Sequence, residues 1–127
     1  MNRAVLDASA ILAIIFEEPG AESLTDEVMN QAVASTVNLA EVQGKLIKKG
    51  YEPGRAWDDT LALVTAEHYT PEQAKTAGTL IQNTGKYGLS LGDRSCLALA
   101  IALNAEVYTT EKLWKNLKLD IPIHVIR

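Results

Sequence analysis

The sequence predicts an α/β protein built on a central, mostly parallel sheet. Three observations predict it. Short apolar runs alternate with helical patterns along the chain, which is the order of a sheet with helical crossovers. The run Ala32-Val33-Ala34-Ser35 has no polar alternation, as expected of a strand covered on both faces. Proline and glycine break the helical patterns at Pro19-Gly20, at Gly50 and at Gly85 to Gly88.

The chain opens on Ala4-Val5-Leu6, a short apolar strand ending at Asp7. Strong helix formers follow over residues 8–18, until Pro19-Gly20. That helix is apolar nearly all round, so it is expected to be buried or to lie against a partner. A second helix is expected over residues 21–30, before the Ala32–Ser35 strand. Thr36 is placed to cap a helix over residues 37–49 that Gly50 terminates. Pro53 opens a helix to residue 64, and His68-Tyr69 falls in an edge strand. Pro71 opens a helix to residue 84, closed by the Gly85-Lys86-Tyr87-Gly88 turn. Residues 90–104 read as a long apolar helix, Val107-Tyr108-Thr109 as a strand, 110–117 as a short helix and 121–126 as a final strand. Ligands of such sheets bind beyond the carboxyl ends of the strands. Asp7 falls at one such end, and Glu111 two residues past another.

A length of 127 residues, 47% of them apolar and 22% charged, suits one domain over residues 1–127 and excludes a disordered linker. The apolar run at 8–16 is too short for a membrane helix, which needs ~18 residues. The beginning of the chain shows no secretory signal pattern. One cysteine, Cys96, makes no internal disulfide, and with His68 and His124 it shows no zinc-ligand spacing. A cytoplasmic protein is expected. The net charge of −4 argues against binding nucleic acid through bulk positive charge, though not against a local cation-assisted contact.

Four acids are candidates for chemistry, and each also has a plain local reading. Asp7, between strand and helix, is placed to cap the helix on the amides of Ser9 or Ala10. Glu41 is spaced to pair with Lys45 at i, i+4; turned into a site, it would instead head a basic track of Lys45, Lys48 and Lys49. Asp93 follows Ser90 by three, the spacing of a capping box, and marks the polar end of an apolar helix. Glu111 is an ordinary first-turn acid within reach of Lys115. Gathered in one crevice, such carboxylates repel one another unless protonated or neutralised by a cation. An all-oxygen set favours Mg²⁺ or Mn²⁺. A water bound to such a metal is a nucleophile for a phosphodiester.

The stretches Val5-Leu6-Asp7-Ala8-Ser9-Ala10, Asn38-Leu39-Ala40-Glu41-Val42, Leu89-Ser90-Leu91-Gly92-Asp93-Arg94 and Val107-Tyr108-Thr109-Thr110-Glu111 resemble the PIN domain family. More narrowly, they resemble the VapC-type toxins of bacterial toxin–antitoxin modules, in order and over essentially the whole chain. The segment from Gly88 to Arg94 is the most specific part. The resemblance implies an α/β/α sandwich and a Mg²⁺- or Mn²⁺-dependent endoribonuclease acting on RNA. It also implies homodimerisation and inhibition by a cognate VapB-type antitoxin. By matching position, Asp7, Glu41 and Asp93 are the first three acids of the site. Asp7 and Asp93 are the implied metal ligands, and Glu41 binds metal through water or orients the nucleophile. The fourth acid departs from the family pattern, with Glu111 where an Asp is usual. The extra methylene keeps the charge and lengthens the reach. Ser9 and Thr109 match polar positions near the family's site, where they either hold a water or cap locally.

Lys45, Lys48, Lys49, Arg94, Lys112 and Lys115 are candidate phosphate contacts. Trp114 is either a base-stacking platform or core. Ile11, Ile14, Ile15 and Phe16 have three readings: antitoxin surface, dimer interface or core. Two alternatives to the nuclease stand beside it. One is a non-catalytic PIN-fold binding scaffold. The other is a receiver-type signalling domain, which needs a phosphoacceptor Asp at a central strand end, whereas Asp58-Asp59 falls in a helical pattern and the first strand offers only Asp7.

Overall fold

Strand β1 (Ala4–Leu6) has no exposed residue and lies in the middle of a sheet, as its unbroken apolar character requires. The computed structural model describes residues 3–127, so Met1 and Asn2 of the expected domain lie outside the described residues. Strand β1 is joined by β2 (Ala32–Ser35), β3 (Thr65–Glu67), β4 (Glu106–Thr109) and β5 (Ile123–Val125) in the order β3-β2-β1-β4-β5, with every pair parallel. The helices are α1 (Ala8–Ile15), α2 (Asp26–Met29), α3 (Thr36–Lys48), α4 (Pro53–Leu61), α5 (Pro71–Thr79), α6 (Ile81–Thr84) and α7 (Leu91–Leu103). The period of two in a strand divides the core. Ala4 and Leu6 face α1, α3 and α4, whereas Val5 and Val33 face α7 and the chain end around Trp114. The result is the expected α/β/α sandwich. No helix among the described residues is long and apolar enough to cross a membrane.

This strand order separates the fold from the receiver-type alternative, whose doubly wound sheet runs 2-1-3-4-5. Asp58 and Asp59 lie on α4, far from any strand end in sequence, and Asp59 pairs with Arg55 at 3.3 Å.

Several expected boundaries shift, each for a local reason. The helix expected over residues 21–30 splits into a 3₁₀ turn (Ala21–Ser23) and α2, because the Thr25 hydroxyl accepts from Val28 N–H and starts a new helix. The helix after β2 begins one residue early: Ser35, not Thr36, is its cap, accepting from Val37 N–H at 3.2 Å. Thr36 Oγ1 instead accepts from Tyr69 N–H. The edge strand lies at Thr65–Glu67, paired with Val33 to Ser35, rather than at His68-Tyr69. The helix from Pro71 breaks at Leu80, where Thr79 and Thr84 bond back to carbonyls one turn earlier. The segment expected as a helix over 110–117 is a 3₁₀ helix, Lys112–Asn116.

Helix α1 meets the expectation of burial. Ile11 is wholly enclosed and is core, while Ile14, Ile15 and Phe16 pack against the core with part of their surface open.

Candidate functional site

Parallel pairing brings the carboxyl ends of β1, β2 and β4 side by side, and the polar residues gather there. Leu6 pairs with Tyr108, so the next residues, Asp7 and Thr109, meet. The Asp7 side chain is 3% exposed. Its Oδ1 accepts from Ala10 N–H at 2.8 Å, the expected helix cap, and from the Ser9 hydroxyl at 2.7 Å. Its Oδ2 accepts from the Thr109 hydroxyl at 2.6 Å. Each hydroxyl is anchored in turn. Ser9 Oγ accepts from Thr110 N–H and Thr109 Oγ1 from Glu111 N–H, both at 3.0 Å. Both hydroxyls therefore serve to hold Asp7.

Burial pushes the Asp7 carboxyl up from its ordinary 3.8 to about 6. The bonds from Thr109, Ser9 and Ala10 oppose that rise, and the negative charge of Asp93 adds to it. Of the four lone-pair positions of the carboxylate, the three donors leave one open, on Oδ2.

Asp93 forms the expected capping box. Its Oδ2 accepts from Ser90 N–H at 2.9 Å, and Ser90 Oγ accepts from Asp93 N–H at 3.1 Å. Glu41 does not pair with Lys45. Its Oε1 accepts from the Asn38 amide at 2.7 Å, and the same Nδ2 donates to the Gly92 carbonyl at 3.0 Å. Asn38 is buried at 1% exposure, and its Oδ1 has no partner. The amide is thus oriented with its donor toward the carboxylate. The Glu41 carboxylate lies directly on the backbone of Gly92: a Cβ there would stand 2.5 Å from Oε2 and 2.6 Å from Cδ. Glycine is required for this approach, and it seats Glu41 beside the first turn of α7, whose dipole favours negative charge.

The charges of the three acids bear on one buried group. The Cys96 thiol, one turn below Asp93 on α7, is pushed well up, first by burial and then by the charges of Asp7, Asp93 and Glu41. The Glu111 backbone N–H bonds Thr109, the donor to Asp7, and its side chain is exposed and caps nothing.

A hard divalent cation fits this donor set by chemistry and charge: the ligands are all carboxylate oxygens, and a cation offsets both the burial that raises Asp7 and the smaller repulsion from Asp93. Among the described residues no three acids, histidines or cysteines close on a single point. A cation here would therefore keep part of its shell as water, as Mg²⁺ does.

A model of the PIN domain matches residues 4–118. The chain belongs to the PIN domain family. Among solved structures, this PIN domain is similar to VapBC2 from Rickettsia felis bound to a promoter DNA fragment, at TM-score 0.74 and 18% identity, covering 95% of this chain and 96% of that one. It is also similar to DNA-bound VapBC from Salmonella typhimurium, at TM-score 0.74 and 16% identity over 98% of each chain. A third is VapC20 of Mycobacterium tuberculosis, described as a sarcin-ricin loop cleaving toxin, at TM-score 0.70 and 17% identity, covering 89% of this chain and 93% of that one. No curated protein matches the sequence significantly.

The candidate substrate residues of the PIN domain divide into two groups. Lys45, Lys48, Lys112 and Lys115 are exposed, on α3 and on the 3₁₀ helix. Arg94 is committed to the fold: its Nη1 donates to the Ala77 carbonyl at 2.8 Å and ties α7 to α5. Lys49 lies over the Phe16 ring at 5.9 Å. Trp114 is 2% exposed and packs in the core, so it is no stacking platform. Asn38 and Gly92 were missed as site residues. Asn38 nonetheless carried a signal, a carboxamide at the head of the apolar stripe Asn38, Val42, Leu46 that faces the core.

Proposed function

We propose that this chain is the VapC-type toxin of a toxin–antitoxin module and acts as a Mg²⁺- or Mn²⁺-dependent endoribonuclease. In this reading it is a homodimer held silent by a VapB-type antitoxin. One observation carries the proposal: the buried Asp7 carboxylate, held at the carboxyl end of the sheet by Ser9, Thr109 and the Ala10 amide, keeps one lone pair open on Oδ2 and feels the negative charge of Asp93. That VapC20, a sarcin-ricin loop cleaving toxin, has the same fold supports the choice of RNA.

Asp7 Oδ2 and the Asp93 carboxylate would hold the cation. When bound, such a cation stabilises charge developing on the phosphate and makes water more acidic. Ser9, Thr109 and the Ala10 amide hold Asp7 ionised and aimed. Glu41, its Oε1 fixed by Asn38, would hold the cation through water or orient the nucleophile. Exposed lysines Lys45, Lys48 and Lys112 offset the acidic balance along the approach of the phosphate backbone. Glu111, exposed two residues past Thr109, would bind a second metal weakly or hold water.

The test is cleavage of total RNA by purified, antitoxin-free protein with Mg²⁺, Mn²⁺ or EDTA, beside Asp7→Asn and Asp93→Asn. Discrete metal-dependent fragments, absent in both variants, are expected. Folded wild-type protein that leaves RNA intact under every condition would move the chain to the scaffold reading. A variant that cleaves at the wild-type rate would overturn the site assignment.

A further inference from the structure

Away from the carboxylates lies a cleft of about 340 Å³ with different chemistry. One wall is α6 and the turn after it, with Gln82, Asn83, Lys86 and Tyr87. The other is the chain leaving the 3₁₀ helix, with Asn116 and Lys118. No acid lines it. Lys86 Nζ stands over the Tyr87 ring, 5.2 Å from its centre, so a cation and an aromatic face are held together at the cleft.

Both walls are joined in sequence to segments that bear candidate site residues. Tyr87 precedes Asp93 by about six residues, at most ~20 Å of chain, and the other wall continues from Glu111 through Lys112 and Lys115. In a protein of net charge −4, a cleft with two lysines and no acid is a local basic surface open to a polyanion. The volume is at the lower end of small-ligand sites, too small for a protein helix. Carboxamides offer both donors and acceptors to a base edge, an aromatic ring offers a stacking face, and ammonium groups offer contacts to phosphate.

We propose that this cleft is a nucleotide subsite for single-stranded RNA. It takes one unstacked base against Tyr87, with that base's edge on the carboxamides of Asn83 and Asn116 and the flanking phosphates on Lys86 and Lys118. The inference rests on the ribonuclease reading, and it adds to that reading a place for one nucleotide outside the carboxylate crevice.

The test separates the two claims by measuring binding without catalysis. Fluorescence anisotropy of a labelled, mixed-sequence 12-nucleotide RNA in EDTA reads the affinity of the wild type, the Lys86→Gln/Lys118→Gln double variant, Tyr87→Phe and Tyr87→Leu. The double variant is expected to bind about tenfold more weakly at 0.1 M salt, with the slope of log affinity against log salt reduced by about 1.4. Tyr87→Phe keeps the affinity, and Tyr87→Leu loses about tenfold. Cleavage in Mn²⁺ is scored separately and decides only the nuclease reading. If the double variant binds with wild-type affinity and slope, the subsite is overturned whether or not the protein cleaves. If the wild type fails to bind the single strand, it is overturned as well.

Discussion

Replacing Gly92 with alanine separates the position of Glu41 from the stability of the fold. The new Cβ would stand 2.5 Å from Glu41 Oε2, against an ordinary contact of 3.4 Å or more, so the carboxylate must retreat by about 1 Å. The atom displaced is the end of a flexible side chain, not backbone, and Gly92 has ordinary helical geometry. Alanine gains about 1 kcal/mol over glycine within a helix. Losing the Asn38–Glu41 bond costs about the same, ~0.5–1.5 kcal/mol, so the melting temperature should barely move. Turnover should fall by about 10²-fold, the usual cost of a 1 Å misplacement of a reacting group. The assay is single-turnover cleavage of an RNA oligonucleotide in Mn²⁺ beside a thermal melt. Adding Glu41→Asp, one methylene shorter, should restore part of the rate. A Gly92→Ala protein that cleaves as fast as the wild type would refute the placement of Glu41. One that loses several kcal/mol would assign Gly92 to the fold instead.

Other substitutions test the groups around Asp7 and the chain end. Because the folded Asp7 carboxyl titrates at about 6 rather than 3.8, the native state holds a proton that the unfolded chain has lost. Wild-type stability, relative to Asp7→Asn, should therefore fall by about 2 kcal/mol as pH rises from 4 to 6 and level off only above pH ~7. Denaturant melts in EDTA across that range would show it, and a pH-independent difference would contradict it. Thr109→Val removes the 2.6 Å donor to Asp7 and the acceptor of Glu111 N–H. It should cost ~1–3 kcal/mol and move the acid limb of the pH–rate profile to higher pH, whereas Thr109→Ser should not. Gly20→Ala forces a side chain onto a residue at φ +96° and against the Ile126 carbonyl. A loss of ~2 kcal/mol or more is expected in urea unfolding, and an unchanged midpoint would refute the clash.

What the sequence made legible was local. The Asp7 cap needs only the amide three residues on, and the Ser90–Asp93 box closes within one helical turn, so both follow from spacing. The apolar β1 and β2 likewise announce burial on both faces. Edges were less legible. Thr65-Ala66-Glu67 carries no apolar run, and its pairing with Val33 to Ser35 is imposed by the neighbouring strand. Contacts distant in sequence were least legible. Nothing within one turn of Glu41 says that Gly92 will lie beneath it, or that Asn38 will bridge to a carbonyl 54 residues away. The four acids were identifiable as a set only through the family pattern. That Glu41 lies on Gly92 while the Glu111 side chain stays exposed is a property of the packed fold.

The central strand is made first and completed last. On one side β1 meets β2, a short stretch of chain later; on the other it waits for β4, and the hydroxyl that holds Asp7 lies 102 residues downstream. At ribosomal speeds of about 5–20 residues per second, that gap lasts on the order of 5–20 s. During that interval β1 is an open edge, exposed to mispairing. The carboxylates of Asp7, Glu41 and Asp93 can all have been synthesised while the group that fixes the first of them is still missing. The last quarter of the chain thus acts as a latch on a site whose first three acids precede it. A nascent or C-terminally clipped molecule would carry the acids without the geometry.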